Sequence, residues 1–151
     1  MKHFDAPGAS PVVRAESLGL LDEKTLCVHC VRVGEEDIEI LARRGAAVCL
    51  CPRSNEHIGV GRAPWEALAA AGVLLCLGTD SLASNDDLDL WAELGFLAER
   101  FRGPLGLERA VALVTRDAAR ALGVDGDFGT LAPGRRAVTS AVPQDLFNLC
   151  E

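Results

Sequence analysis

The sequence predicts an α/β fold in which helices cover a parallel sheet. Three segments of the 151-residue chain share one design, in which a helix with an apolar face is followed by a glycine and a short hydrophobic strand. The second and third segments match position by position around Gly45 and Gly72. Such alternation indicates a parallel sheet, and strands that are apolar throughout indicate burial on both faces. The sheet is therefore either doubly wound or part of a barrel.

The predicted elements carry the signals expected at helix ends. The first helix begins at Ser10-Pro11, where serine can cap and proline fits the first turn, and Gly19 can end it. The second helix covers residues 35–44, with an acidic start and a basic end that suit the helix dipole. A third helix begins at Pro64. The predicted strands cover residues 25–30, 46–51 and 73–78.

The second half of the chain is predicted to be mainly helical. A long amphipathic helix has an apolar stripe formed by Leu90, Leu94, Leu97 and Phe101. Helices near residues 107–114 and 116–122 follow, and Thr115 could cap the second of them. A glycine-rich turn then leads to a predicted strand over residues 135–142, after which Pro143 ends regular structure.

Composition excludes some classes of function. The net charge of −7 argues against a nucleic-acid partner, because binding phosphates needs a basic surface. The N-terminus lacks the apolar core of a signal peptide, and no apolar run approaches the roughly 18 residues that span a membrane. We therefore expect a cytoplasmic protein without a membrane partner.

Six cysteines are present, and five of them lie in apolar runs where free cysteine packs as a small hydrophobe. This setting favours a reducing compartment over a disulfide framework. Cys27 and Cys30 form a Cys-x-x-Cys motif, but within a strand their side chains would face opposite sides. We therefore interpret both as core residues rather than as a redox or zinc site.

Polar residues stand where the predicted strands end. His29 lies at the end of the first strand, Asp80 follows the third, and a Cys-Pro-Arg-Ser-Asn run ending at Asn55 follows the second. In parallel β/α folds, functional residues gather at these carboxyl ends. A lone histidine there is more often a core residue, but a charge directly after a buried strand is costly unless it is paired or metal-bound. Together, His29 and Asp80 favour a metal or proton-transfer site.

A set of motifs makes a family resemblance specific. In chain order they are His29-Cys30, Cys51-Pro52-x-Ser54-Asn55, Gly59-x-Gly61-x-Ala63-Pro64 and Gly78-Thr79-Asp80-Ser81-x-Ala83-Ser84-Asn85. From about residue 10 to residue 142 the chain resembles the C-terminal half of the amidohydrolase superfamily. The resemblance is to the branch that contains S-adenosylhomocysteine deaminase, aminodeoxyfutalosine deaminase and the chlorohydrolase-like enzymes.

The resemblance implies a fold and a set of site residues. It implies that residues 1–128 form part of a TIM-like (β/α)8 barrel, strands six to eight with their helices, and that residues 129–151 belong to a β-sandwich. Asp80 would be a catalytic residue, as the general base and a ligand of a divalent metal, zinc or alternatively iron. His29 would be the catalytic residue that orients or protonates the reacting centre. Substrate contacts are expected at Asn55, Ser81 and Ser84, where capping or turn roles are equally open.

The resemblance also implies a reaction, which is the hydrolysis of a non-peptide carbon–nitrogen bond. The expected form of this reaction is deamination of a purine-nucleoside-like or related small heterocyclic substrate. The family's His-x-His pair and fifth-strand histidine have no counterpart here, because neither His3 nor His57 is placed to replace them. We therefore expect a C-terminal fragment that is inert by itself and binds metal weakly. Its open strand edges should make it self-associate or require the missing half of the barrel.

Two alternatives remain at this point. The chain could be a degenerate, non-enzymatic remnant that serves as an interaction module. It could also be a small doubly wound phosphoacceptor or nucleotide-binding domain, but the residues after the first strand, from Val31 to Gly34, do not form a glycine-rich phosphate loop.

Overall fold

The computed structural model describes residues 8–100 and 106–149 and contains a three-stranded parallel sheet. The strands are β1 (Leu26–Val28), β2 (Ala47–Leu50) and β3 (Leu75–Leu77), and they lie side by side in the order β1-β2-β3. The prediction of a parallel sheet is confirmed, although each strand is shorter than its predicted range. Within the described residues, β1 and β3 form the two edges of the sheet.

The strand register separates the side chains into two rows on opposite faces. The rows consist of Cys27, Val48 and Leu75 and of Val28, Cys49 and Cys76. The first row faces the helices, where Val48 and Leu75 belong to the hydrophobic core. The second row faces away from that core, and Val28 at the β1 edge is 48% exposed. One face of the sheet is thus packed, and the other is open at the β1 edge.

Eight helices surround the sheet in the part of the chain that the structure describes. They are α1 (Pro11–Ser17), α2 (Glu35–Arg44), α3 (Pro52–His57), α4 (Trp65–Ala70), α5 (Leu90–Arg100), α6 (Leu107–Val114), α7 (Arg116–Ala121) and α8 (Gln144–Leu149). The start of α1 is as predicted, since the Ser10 hydroxyl accepts a hydrogen bond from the Val13 amide at 3.0 Å. The end of α2 is also as predicted, because Gly45 adopts the left-handed conformation with φ 68°.

The hydrophobic core joins these helices to the packed face of the sheet. Leu41, Leu68 and Leu94 are fully buried and come from α2, α4 and α5. Burying such a side chain contributes about 1.5–3 kcal/mol. Leu146 of α8 is also buried, and α8 packs on α5. This packing leaves the carboxyl ends of the strands available for polar residues.

Two predictions at helix starts are corrected by the structure. No helix is predicted directly after the second strand, but these residues form α3, in which Pro52 occupies the first turn and therefore favours a helix start. Thr115 does not cap α7, because its hydroxyl donates instead to the Val111 carbonyl oxygen at 2.7 Å. Phe101, predicted on the stripe of α5, lies outside the described residues.

The predictions for the C-terminal region are wrong in part. Residues 135–142 contain no strand, and Val138 in this segment is 68% exposed. The Arg136 amide donates instead to the Asp127 carbonyl oxygen at 3.0 Å, which folds the segment back on the preceding turn. Regular structure does not end at Pro143, because α8 follows it directly.

The prediction that Cys27 and Cys30 face opposite sides is also wrong. Strand β1 ends at Val28, and both His29 and Cys30 have positive φ angles, 68° and 50°. This turn interrupts the strand alternation, so Cys27 and Cys30 both pack against the hydrophobic core and line the same cavity. Among the described residues, each helix is too short or insufficiently apolar to cross a bilayer.

Candidate active site

Three polar side chains meet at the carboxyl end of the sheet. His29 directly follows β1, Asn55 lies in α3 after β2, and Asp80 follows β3. Nδ1 of His29 is 3.0 Å from Oδ1 of Asn55, and Nε2 of the same ring is 3.8 Å from Oδ2 of Asp80. The structure therefore brings together three of the residues that the sequence singled out, on the edge where parallel folds carry their chemistry.

Two serine hydroxyls hold the Asp80 carboxylate. Oδ2 accepts a hydrogen bond from Oγ of Ser54 at 2.8 Å and from Oγ of Ser84 at 2.9 Å. The hydrogen bond from Ser54 and then that from Ser84 hold the pKa of Asp80 below its usual value, and nearby His29 acts in the same direction. Asp80 is therefore a carboxylate at neutral pH and can accept a proton. Both serines are buried, which makes this arrangement rigid.

The backbone is in an uncommon conformation at two of these residues. His29, Cys30 and Asp80 have φ angles of 68°, 50° and 60°, and they are the non-glycine residues with positive φ in the described part of the chain. Such conformations cost of order 1–3 kcal/mol each and persist where surrounding contacts hold them, most often at functional sites. The coincidence of His29 and Asp80 with this conformation marks the strand ends as a candidate site.

A buried glutamate of α5 ties the site elements together. Oε1 of Glu93 accepts a hydrogen bond from the Asn85 side-chain amide at 2.6 Å, and Oε2 accepts one from the Arg53 backbone amide at 3.1 Å. Asn85 also donates to the Thr79 carbonyl oxygen at 2.8 Å. Glu93 thus connects the first turn of α3 with the loop that carries Asp80. Burial raises the pKa of Glu93 above its usual value, and its two hydrogen bonds partly oppose that effect.

The side chains of Ser81 and His57 do not take part in this cluster. Ser81 is exposed, and its backbone rather than its side chain contacts the site, since its amide bonds to Asp80 and its carbonyl oxygen accepts from Ser84. His57 is exposed at the end of α3. His3 lies outside the described residues.

Ser54 and Glu93 were missed as site residues in the sequence. Ser54 had a signal, because it belongs to the same Cys-Pro-x-Ser-Asn motif as Asn55. Glu93 had none, since it is one acidic residue of an amphipathic helix and its partners Arg53 and Asn85 come from two separate segments.

The metal donors in this cluster are few. His29 and Asp80 offer an imidazole nitrogen and a carboxylate, whereas a tight zinc site takes at least three protein ligands. Among residues 8–100 and 106–149, no group of three histidine, cysteine, aspartate or glutamate side chains is placed to hold a metal ion. The described residues can therefore supply part of a metal site but do not complete one.

A parallel sheet with an ionised aspartate and an oriented histidine at the carboxyl ends of its strands has the arrangement in which β/α proteins carry their functional residues. Comparison with family models gives the family. The chain belongs to the amidohydrolase family, whose model matches residues 5–149.

Curated relatives are named deaminases. The 5-methylthioadenosine/S-adenosylhomocysteine deaminase of Teredinibacter turnerae is 38% identical over 148 residues, which are 94% of this chain and 34% of the relative. The enzyme of the same name from Moorella thermoacetica is 40% identical over 136 residues, which are 86% of this chain and 32% of the relative. An aminodeoxyfutalosine deaminase of Deinococcus radiodurans is 43% identical over 64% of this chain and 23% of its own. The chain spans about a third of the length of the first two.

Solved structures agree with this assignment. An adenosine deaminase from Xanthomonas campestris with bound zinc is 34% identical, with a TM-score of 0.80 over 86% of this chain and 31% of that one. An atrazine chlorohydrolase from Arthrobacter aurescens in complex with zinc is 28% identical, with a TM-score of 0.78 over 86% of this chain and 30% of its own. The predicted family resemblance is confirmed.

Proposed function

We propose that this chain supplies the C-terminal part of the active site of a metal-dependent deaminase that acts on a purine-nucleoside-like or related heterocyclic substrate. The observation that carries the proposal is the placement of His29 and Asp80, 3.8 Å apart at neighbouring strand ends of a parallel sheet. The names of the relatives support the substrate class. In this proposal β1, β2 and β3 correspond to strands six, seven and eight of a (β/α)8 barrel, and residues 129–151 belong to the family's β-sandwich.

Asp80 is the proton-transfer group in this proposal. Its hydrogen bonds from Ser54 and Ser84 keep it ionised, so it can take a proton from the water that attacks the substrate carbon. The same group can then deliver that proton to the departing amine. General acid–base catalysis of this kind contributes roughly 10²–10⁴-fold in rate.

His29 orients the reacting group in this proposal. When Asn55 accepts from Nδ1–H, the neutral imidazole presents a bare Nε2 towards the Asp80 side of the site. Nε2 can then accept a hydrogen bond there, or donate one after protonation. Asn55 and Ser84 are buried against His29 and Asp80, so we assign them to positioning, and exposed Ser81 stays the candidate for substrate contact.

Asp80 is the residue of this chain that would hold the metal, zinc or alternatively iron. A divalent metal at such a site lowers the pKa of bound water to about 7. Because the described residues do not complete a ligand set, we propose that the chain by itself binds metal weakly and is inert. Its five described cysteines are free, which supports a cytoplasmic location.

A graft tests the proposed function. The segment of the Teredinibacter turnerae deaminase that matches this chain, 34% of that enzyme, is replaced by this chain, and ammonia release from 5-methylthioadenosine is measured. The proposal expects turnover with zinc for the graft and none for the chain alone. A graft that folds and binds zinc but shows no turnover would contradict the proposal and favour a non-enzymatic remnant.

A further inference from the structure

A pair of thiols lies beside His29, and the proposed reaction does not use it. Cys27 belongs to β1, Cys30 lies in the turn that follows, and both side chains pack against the same side of the hydrophobic core. Both cysteines are free and half-buried. Both also line a cavity of about 350 Å³, whose wall includes Arg32. A small molecule that enters this cavity can therefore reach both sulfurs.

The backbone explains why these two thiols meet. In a continuous strand, residues three apart point to opposite faces. Here the positive φ angles of His29 and Cys30 turn the chain, and the Cys30 amide donates to the Val28 carbonyl oxygen at 2.9 Å. The turn that aims His29 at Asn55 is thus the same turn that places Cys30 against Cys27.

We propose that Cys27 and Cys30 form a reversible disulfide that moves His29 away from Asn55. A disulfide bond is about 2.05 Å long, much shorter than the contact between two non-bonded sulfur atoms, so closing it must tighten this turn. His29 lies inside the ring that the bond closes. Its hydrogen bond to Asn55 is 3.0 Å long, and hydrogen bonds weaken steeply once their geometry is disturbed.

The reaction needs an oxidant, for which we name a small-molecule disulfide such as oxidised glutathione. The Cys27 thiolate attacks one sulfur of that disulfide, which forms a mixed disulfide and releases one small thiolate that takes up a proton. The Cys30 thiol then loses its proton and attacks the Cys27 sulfur, which releases the second small thiol. The chain gives up two electrons and two protons, and the small disulfide takes up both.

The other described cysteines provide an internal comparison. Contact with Cys30 lowers the pKa of the Cys27 thiol, which favours the attacking thiolate. By contrast, Cys51 is 1% exposed, whereas Cys27 is half-buried at a cavity, and hydrogen bonding with Cys49 and burial also raise the pKa of the Cys51 thiol. Cys27 should therefore react before Cys51.

Peptide mapping of the full chain tests the disulfide. The protein is equilibrated in buffers of increasing oxidised-to-reduced glutathione ratio, alkylated, and digested with trypsin. Cleavage at lysine and arginine leaves Cys27 and Cys30 together in residues 25–32 and Cys49 and Cys51 in residues 45–53. We expect oxidation to remove two hydrogen atoms from the peptide of residues 25–32, and to do so reversibly. This should occur at a lower ratio of oxidised to reduced glutathione than the peptide of residues 45–53 requires. Alkylation of both Cys27 and Cys30 at every ratio, or earlier oxidation of the second peptide, would overturn the proposal.

Nuclear magnetic resonance of the ring of His29 tests the consequence. Oxidation should shift the His29 ring signals and leave those of His57 in place, and Cys30→Ser should abolish the shift while allowing a mixed disulfide on Cys27. A disulfide that forms without moving His29 would refute the coupling. An effect on catalysis rests on the proposed function, whereas both measurements here are independent of it. A graft without activity would therefore leave this test intact.

Discussion

The ring of His29 is held by Asn55, whose Oδ1 lies 3.0 Å from Nδ1. This contact sets which ring nitrogen faces Asp80, because an acceptor at Nδ1 favours the proton on that atom. Asn55 therefore contacts one ring nitrogen of His29 and leaves the other nitrogen facing Asp80.

Removing that acceptor should release the ring. In Asn55→Leu, a side chain of similar size offers no oxygen, so we expect His29 to populate both neutral tautomers. Ring nitrogen chemical shifts report the tautomer directly. His57 is exposed in the same molecule and serves as the control, since its signals should not change. Unchanged His29 shifts in the variant would show that Asn55 does not set the tautomer.

The hydroxyl of Ser54 should control the titration of Asp80. Its hydrogen bond is the largest cause of the lowered pKa of Asp80, so Ser54→Ala should raise that pKa towards its ordinary value. Because the folded-state pKa is depressed, this group stabilises the fold above its unfolded-state pKa and loses that contribution as the pH falls through the folded-state pKa. The variant should therefore lose the contribution at a higher pH. Carboxyl carbon titration by nuclear magnetic resonance measures the change.

Ser81→Ala is the matched control for this titration. Ser81 contacts Asp80 through its backbone, which the substitution keeps. Its titration should match that of the wild-type chain. Equal titration of Asp80 in all three proteins would disprove the role of Ser54.

We expect Glu93 to contribute strongly to the stability of the fold, although it is not one of the proposed catalytic residues. Glu93→Gln places an amide group against the Arg53 amide or the Asn85 amide, both of which donate to this position. A buried donor left without an acceptor costs about 1–3 kcal/mol, so the free energy of unfolding should fall by about that amount. Urea denaturation followed by circular dichroism provides the measurement.

Glu99→Gln provides the comparison on the same helix. Glu99 is exposed and pairs with Arg100 at 3.7 Å, and such surface substitutions usually change stability by less than about 0.5 kcal/mol. Equal effects of the two substitutions would mean that Glu93 does not connect α3 with the loop after β3.

The β1 edge should drive self-association of the isolated chain. An edge strand offers unpaired backbone groups to another chain, and Val28 is 48% exposed there. A lysine at such a position opposes edge pairing, so Val28→Lys should lower the associated fraction in sedimentation velocity. Val138→Lys changes another exposed valine outside the strands and should leave association unchanged. A monodisperse wild-type monomer would contradict this prediction.

Much of the fold could be predicted because its signals are local. Apolar runs preceded by glycine predict the strands, and the rule that function lies at strand carboxyl ends predicts the meeting of His29 and Asp80. The sequence does not predict helix α3, because Pro52 after a strand fits a loop as well as it fits the first turn of a helix. The strand over residues 135–142 was wrong because a short run of mixed residues forms a strand only where a partner strand lies beside it.

The contacts that shape the site are not local, and the sequence does not predict them. The hydroxyl of Ser54 meets Asp80 across 26 positions of sequence, and Glu93 meets Arg53 across 40. The contact of Cys27 with Cys30 depends on two positive φ angles, which neither His29 nor Cys30 ordinarily adopts. Such features follow from packing of the whole domain rather than from the pattern of any one segment.

The most direct test of the central claim is ammonia release from 5-methylthioadenosine by the grafted Teredinibacter turnerae enzyme carrying Asp80→Asn, with Asp86→Asn as its control. Asp86 is a neighbouring exposed aspartate, 86% exposed at its side chain, so its substitution should leave turnover unchanged. Asp80→Asn removes the proposed proton-transfer group and should lower kcat by about 10²–10⁴-fold. Equal turnover by the two variants would contradict the assignment of Asp80 to the active site.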